Sequence, residues 1–130
     1  MQCIEVEETS GARYFSKHAC IPPLPTGLSR RVVEQAVAIA FQVPLYELRA
    51  RTRRKARVAF ARQVAMYLAH VACGMTLTEV GTLFGRDRTT VAYACRIVED
   101  RRDDTLFDAS LDHLETAIIR LTSALRVLES

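Results

Sequence analysis

The sequence lacks the features that mark membrane-spanning, secreted and metal-binding proteins. It has no run of about 18 or more apolar residues, so we expect no transmembrane span. The acidic N-terminus contains no apolar core segment of the kind that a secretory signal needs. None of the four cysteines forms a Cys-x-x-Cys pair or completes a zinc pattern with a histidine, so we expect no metal site. We expect a cytoplasmic protein with reduced thiols, in which Cys73 and Cys95 are small core residues.

Phosphate-binding loops and catalytic groupings are also missing. Neither a Gly-x-x-x-x-Gly-Lys-[Ser/Thr] nor a Gly-x-Gly-x-x-Gly pattern occurs, and the three histidines are scattered. At about 150 residues per domain, a chain of 130 residues has no room for a second large domain. We therefore expect neither enzymatic activity nor a cofactor.

Proline and helical periodicity divide the chain into two parts. Three of the four prolines lie between Ile21 and Gly27, which predicts an N-terminal tail and Pro-rich linker over residues 1–27. Residues 28–130 show helical patterning and no convincing strand, so the predicted fold class is all-α. The predicted helices are 30–42 with Ser29 as the cap, 44–49, 58–73 followed by Gly74, 77–84, Asp87 to about Arg102, and Thr105 or Asp108 to about Glu129.

Two of these helices are joined by a tight turn at residues 84–87, in the form of a helix-turn-helix. Thr76 and Glu79 match a capping box at the start of the first helix. In DNA-binding examples the N-terminus of the second helix faces base edges, and here it carries Arg86, Asp87, Arg88, Thr89 and Thr90. Arginine can bond guanine, aspartate can accept from cytosine, and threonine can contact phosphate or the thymine methyl. The alternative is a helical hairpin in which Asp87 and Thr89 act only as caps.

Basic residues are concentrated in the middle of the chain. Residues 49–57, the basic segment, contain six basic residues and no acidic one. Net charge is −1 over residues 1–48, +8 over 49–102 and −4 over 103–130, so the overall +3 conceals a segregated distribution. A solvated loop would explain the run, but a polyanion such as DNA would neutralise its self-repulsion. We favour nucleic acid because charge and helix-turn-helix coincide.

The last predicted helix carries a leucine seam with a 3-4-3-4-3 spacing. Such a 3.5-residue repeat is typical of a coiled coil, but it covers fewer than three heptads. The helix therefore either packs on its own domain or offers a seam to a second copy or a protein partner. The seam residues are Leu111, Leu114, Ile118, Leu121, Leu125 and Leu128.

Three stretches together resemble the C-terminal DNA-binding domain (domain IV) of the bacterial replication initiator DnaA. They are Val58 to Leu68 with its Arg62-Gln63 pair, Leu77 to Gly81, and Phe84 to Cys95 with an Arg-Asp-x-Thr-Thr-Val element. The similarity covers about residues 28–125. It implies a multi-helix, Trp-repressor-like domain that binds short boxes of double-stranded DNA. The sequence contains no counterpart of the initiator's ATPase module, so we expect a stand-alone reader domain that is nucleoid-associated in the cytoplasm.

The resemblance also assigns expected roles to residues. Arg54 would enter the minor groove, Asp87, Arg88 and Thr89 would read the major groove, and Thr90 would meet phosphate. Leu77 and Thr78 would also meet phosphates, and Arg62 and Gln63 would lie near the backbone. The basic run and the helix-turn-helix pattern themselves supply the other expected contacts, which are Arg53, Lys55, Arg57 and Arg86. The chain has one glycine before Arg-Asp where the family usually has two. It also has Arg88 where the family has histidine, so the recognised box is expected to differ.

The predicted function is sequence-specific binding of double-stranded DNA, as a transcriptional regulator or as a modulator of initiator-box binding. The alternative is a protein-interaction adaptor that docks RNA polymerase or a replication protein through its C-terminal helix.

Overall fold

The computed structural model describes residues 24–50 and 55–129, and over these residues it contains six α-helices and no strand. The all-α prediction is therefore confirmed. None of the described helices is long and apolar enough to cross a membrane. The helices are α1 (Thr26–Phe41), α2 (Leu45–Arg49), α3 (Ala56–Val71), α4 (Leu77–Phe84), α5 (Arg88–Arg101) and α6 (Thr105–Glu129).

The first helix begins four residues before the predicted start, so the assignment of Ser29 as its cap was wrong. Pro25 is the N-cap, and its carbonyl accepts from the amides of Leu28 and Ser29 at 3.0 and 3.1 Å. The fixed φ of proline suits a helix start, so the last proline of the predicted linker initiates α1. Ser29 lies inside the helix and is buried.

The third helix is shifted from its predicted bounds and ends at Val71 rather than Cys73. The amides of Ala72 and Cys73 both bond the carbonyl of Leu68, which closes the last turn early. Gly74 adopts the expected left-handed conformation, with φ of 71°.

The third helix forms the centre of the domain. Its alanines at 61, 65 and 69 are fully buried, and such small side chains let neighbouring helices approach closely. One apolar cluster joins α3 to α1, α2 and α6, and a second joins it to α4 and α5. Val98 of α5 belongs to the first cluster, so both clusters hold the helix-turn-helix on α3.

The last helix packs on its own domain through most of the leucine seam. Leu121 and Leu128 are 50% and 80% exposed, respectively. The four seam residues that pack against the core are Leu111, Leu114, Ile118 and Leu125. Internal packing, one of the two readings of the repeat, therefore accounts for four of its six residues.

A polar junction attaches α6 to the end of α5. Arg102 donates to the carboxylates of Asp108, Asp112 and Glu115. It also donates to the hydroxyl of Tyr67 at 2.9 Å, and that hydroxyl in turn donates to Glu99 at 2.8 Å. The junction fixes the end of α5 that lies opposite the helix-turn-helix turn.

Candidate nucleic-acid interface

The helix-turn-helix is built from strong local signals at each end of α4. Thr76 accepts from the Glu79 amide at 3.1 Å and Glu79 accepts from the Thr76 amide at 2.9 Å, so the predicted capping box is confirmed. Gly85 closes the helix with φ of 67°, a left-handed conformation that favours glycine. The Arg86 amide then bonds the Gly81 carbonyl at 2.9 Å, which sets the tight turn.

Asp87 is the N-cap of α5, the second helix of the helix-turn-helix, which is called its recognition helix. Its Oδ1 accepts from the Thr90 amide and from the Thr89 hydroxyl, both at 2.8 Å. The Thr90 amide bond, followed by contributions from both threonine side chains, lowers the pKa of the Asp87 carboxyl. The capping role of Asp87 is therefore confirmed, whereas a contact of the same side chain with a base stays a prediction.

The exposed face of α5 continues beyond the predicted readout residues. Arg88 and Thr89 are exposed in the first turn, and Thr90 is half-buried beside the core. Tyr93, 56% exposed, and Arg96, also exposed, follow Thr89 at helical spacings of four and seven residues. Neither residue is among the contacts predicted from the sequence, although the same spacing places both on one face with Thr89.

The basic segment is anchored on both sides, while Arg53 and Arg54 lie outside the described residues. Arg49 pairs with Glu34 at 2.8 Å, and the Nζ atom of Lys55 pairs with the Oε2 atom of Glu47 at 3.2 Å. Arg57 donates to the carbonyl of Phe41. Two cations of this segment therefore have acidic partners elsewhere in the chain, which the sequence run alone did not reveal.

Arg62 and Gln63 lie in α3, and Arg62 joins this helix to α2. Arg62 is 8% exposed, and its Nε and Nη2 atoms donate to the carbonyls of Leu48 and Glu47, both at 2.9 Å. These bonds fix the end of α2, from which the basic segment starts. Gln63 is half-buried. A DNA contact by either residue stays a prediction.

A small cavity brings the two predicted DNA-contacting elements together. Its lining includes Arg49 from the start of the basic segment, Glu34 of α1 and the half-buried Arg86 from the helix-turn-helix turn. At the start of α4, Leu77 is half-buried and Thr78 is exposed. The predicted residues in the described part of the chain thus fall into three groups, in the basic segment, at Arg62 and Gln63 within α3, and in the helix-turn-helix.

The remaining predicted roles concern thiols and metals. Cys73 and Cys95 are half-buried and pack against the core, as predicted. Burial raises the pKa of the Cys73 thiol to about 11 and also raises that of Cys95. Cys3 and Cys20 lie outside the described residues. Within the described part of the chain, no three His, Cys, Asp or Glu side chains form a group that could hold a metal ion.

Comparison with known proteins identifies the family to which this sequence is similar. Residues 31–98 match the family described as bacterial dnaA protein helix-turn-helix. The DnaA 2 chromosomal replication initiator protein of Chlamydia pneumoniae is 38% identical over 86 residues, which are 65% of this chain and 19% of that protein. The initiator of Symbiobacterium thermophilum is 35% identical over 97 residues, 72% of this chain and 21% of that protein. The chain thus spans about a fifth of the length of these curated relatives. Because the family match covers more than half of its residues, the chain belongs to the bacterial DnaA helix-turn-helix family.

Proposed function

We propose that the chain binds specific double-stranded DNA through two elements, with α5 in the major groove and the basic segment at the adjacent minor groove. The observation that carries this proposal is the exposed N-terminal turn of α5. Arg88 and Thr89 are exposed there, and among the described residues Arg88 has no ion-pair partner. A helix-turn-helix directs this turn at base edges, and an exposed arginine can donate bidentately to guanine.

The proposed contacts divide into base readout and contacts with the DNA backbone. Arg86, Asp87, Arg88 and Thr89 would set sequence preference, because they occupy the turn and the first residues of α5. Arg54 would enter the minor groove, an assignment that rests on the resemblance. The residues proposed for phosphate or sugar contacts are Arg53, Lys55, Arg57, Arg62, Gln63, Leu77, Thr78 and Thr90.

In its biological role, we propose that the chain acts as a transcriptional regulator or as a modulator that competes for initiator-like boxes. Its relatives are named chromosomal replication initiator proteins, and it matches about a fifth of their length. A reader domain that occupies such a box would alter access to that box by other proteins. A protein-docking adaptor is the second candidate function, because α6 exposes Leu121 and Leu128.

Selection from a pool of randomised duplexes tests the proposal. The full chain is mixed with the pool at moderate salt, and bound duplexes are amplified and sequenced over several rounds. An enriched motif supports sequence-specific binding. If no motif is enriched and the binding that remains is abolished by salt, DNA recognition is contradicted and the adaptor is favoured.

A further inference from the structure

Glu34 is a buried carboxylate at the junction between the two proposed DNA-binding elements. It lies in α1 and is 1% exposed. Its Oε2 accepts from Arg30 Nε at 2.9 Å, and its Oε1 accepts from Arg49 Nε at 2.9 Å. A buried carboxylate is costly unless it is paired, and here each oxygen has an arginine partner.

The two arginines lead from Glu34 to different elements. Arg49 ends α2 and begins the basic segment. The guanidinium carbon of Arg30 lies 5.2 Å from the ring centroid of Phe84, the last residue of α4, and so forms a cation–π contact with the helix-turn-helix. Arg86 lines the same cavity as Glu34, Arg30, Phe84 and Arg49. Glu34 therefore connects the start of the basic segment to the turn before the recognition helix.

We propose that Glu34 is a positioning residue for DNA binding, which sets the distance between the minor-groove and major-groove contacts. This inference rests on the proposed function. Because Glu34 is buried, it does not itself touch DNA and acts through Arg49 and Arg30. Loss of its charge would let the basic segment and the helix-turn-helix shift relative to each other. The two elements would then no longer match the spacing of one box together, and the affinity for that box would fall.

Simple electrostatics predicts the opposite sign for the same substitution. Glu34→Gln removes a negative charge, which by itself favours association with polyanionic DNA. A positioning role instead predicts weaker binding to the correct box. The direction of the change therefore distinguishes the two explanations.

Glu115→Gln provides a matched control. Glu115 also accepts from an arginine, Arg102 Nη1 at 3.1 Å, and the substitution changes net charge by the same amount. Arg102 follows the far end of α5, about 20 Å along the helix from Arg88 at 1.5 Å per residue. Glu34→Gln loses two ion pairs at the junction between the proposed DNA-binding elements, whereas Glu115→Gln loses one at the far end of α5.

The experiment measures each full-length protein on three duplexes. These are the box selected by the wild-type chain, a scrambled duplex, and the box with one base pair inserted between its minor-groove and major-groove contacts. We expect Glu34→Gln to bind the box about 3- to 30-fold more weakly than Glu115→Gln. We expect both variants to bind scrambled DNA equally. We expect the insertion to weaken binding by Glu34→Gln less than it weakens binding by the wild type.

The outcomes separate the positioning role of Glu34 from the proposed function itself. If the two variants bind all three duplexes alike, the positioning role of Glu34 is wrong, even though the box is still recognised. If the wild type prefers no duplex, the proposed function itself fails. Should circular dichroism show Glu34→Gln to be unfolded, Arg30→Lys is measured instead, because it keeps the charge and weakens the Phe84 contact. An unchanged insertion penalty in Arg30→Lys would then overturn the inference.

Discussion

The α-carbon of Gly81 faces the carbonyl oxygen of Arg86 so closely that a Cβ at position 81 would lie 2.6 Å from that oxygen. The obstacle is backbone and cannot rotate away, so a larger residue must displace the turn between α4 and α5. Gly81→Ala is therefore expected to destabilise the fold by about 1–3 kcal/mol, a typical cost of overpacking, as measured by denaturant unfolding.

Gly27→Ala is the matched control for this substitution. A Cβ at Gly27 meets nothing within 4 Å, and the residue is exposed in the first turn of α1. Alanine should leave stability unchanged or raise it by up to about 1 kcal/mol. Equal free energies of unfolding for the two variants would contradict the proposed constraint at Gly81.

Substitutions of Asp87 should separate its capping role from DNA readout. Asparagine caps helices about as well as aspartate, whereas alanine does not. We expect Asp87→Asn to melt close to the wild type and Asp87→Ala to melt at a lower temperature, by circular dichroism. If Asp87 reads a base, Asp87→Asn should also change the preferred base at one position of the selected box. Identical melting temperatures for the two variants would show that the cap contributes nothing.

Arg88→Ala and Arg54→Ala should weaken DNA binding in different ways. Removal of a base-reading arginine costs about 1–3 kcal/mol and relaxes preference at one base, so Arg88→Ala should lose more affinity for the selected box than for scrambled DNA. Arg54→Ala should also lower the slope of log K against log salt, because a cation in the groove releases a counterion.

Titration of binding at several salt concentrations separates these two signatures. Equal weakening by Arg88→Ala on every duplex would argue against base readout by this side chain. A salt slope that Arg54→Ala leaves unchanged would argue against a groove or backbone contact.

Tyr67 should make the fold sensitive to alkaline pH. Burial, together with the hydrogen bond to Glu99, raises the pKa of its hydroxyl from 10.0 to about 12, against an opposing effect of Arg102. Since the folded pKa is raised, the neutral phenol contributes stability that is fully present below pH 10 and is lost as pH rises to about 12. Between about pH 9 and 11.5, unfolding free energy should therefore fall more for the wild type than for Tyr67→Phe. Parallel curves for the two proteins would contradict this linkage.

The helix-turn-helix could be predicted well because its signals are local. The Thr76–Glu79 capping box and the Asp87 cap each act within three residues, so they can be read from neighbouring positions. The start of α1 was misplaced because Ser29 and Pro25 offer competing local signals, and packing buries the serine inside the helix.

The link between the two proposed DNA-binding elements could not be predicted because it depends on tertiary contacts. Glu34 and Arg49 are 15 residues apart and meet only when α2 folds back against α1. The burial of Arg62 likewise depends on the carbonyls at the end of α2. In contrast, the exposed positions of Tyr93 and Arg96 follow from helical spacing once α5 is placed.

The ratio of dissociation constants for the selected box and a scrambled duplex, at one fixed salt concentration, tests the central claim most directly. Specific DNA-binding proteins typically prefer their site by about a thousandfold or more, and we expect a ratio of that order for the full chain. We further expect Arg88→Ala to reduce that ratio by about 5- to 150-fold, which corresponds to the loss of one base-reading arginine. A ratio near one for the wild type would contradict sequence-specific recognition by the helix-turn-helix.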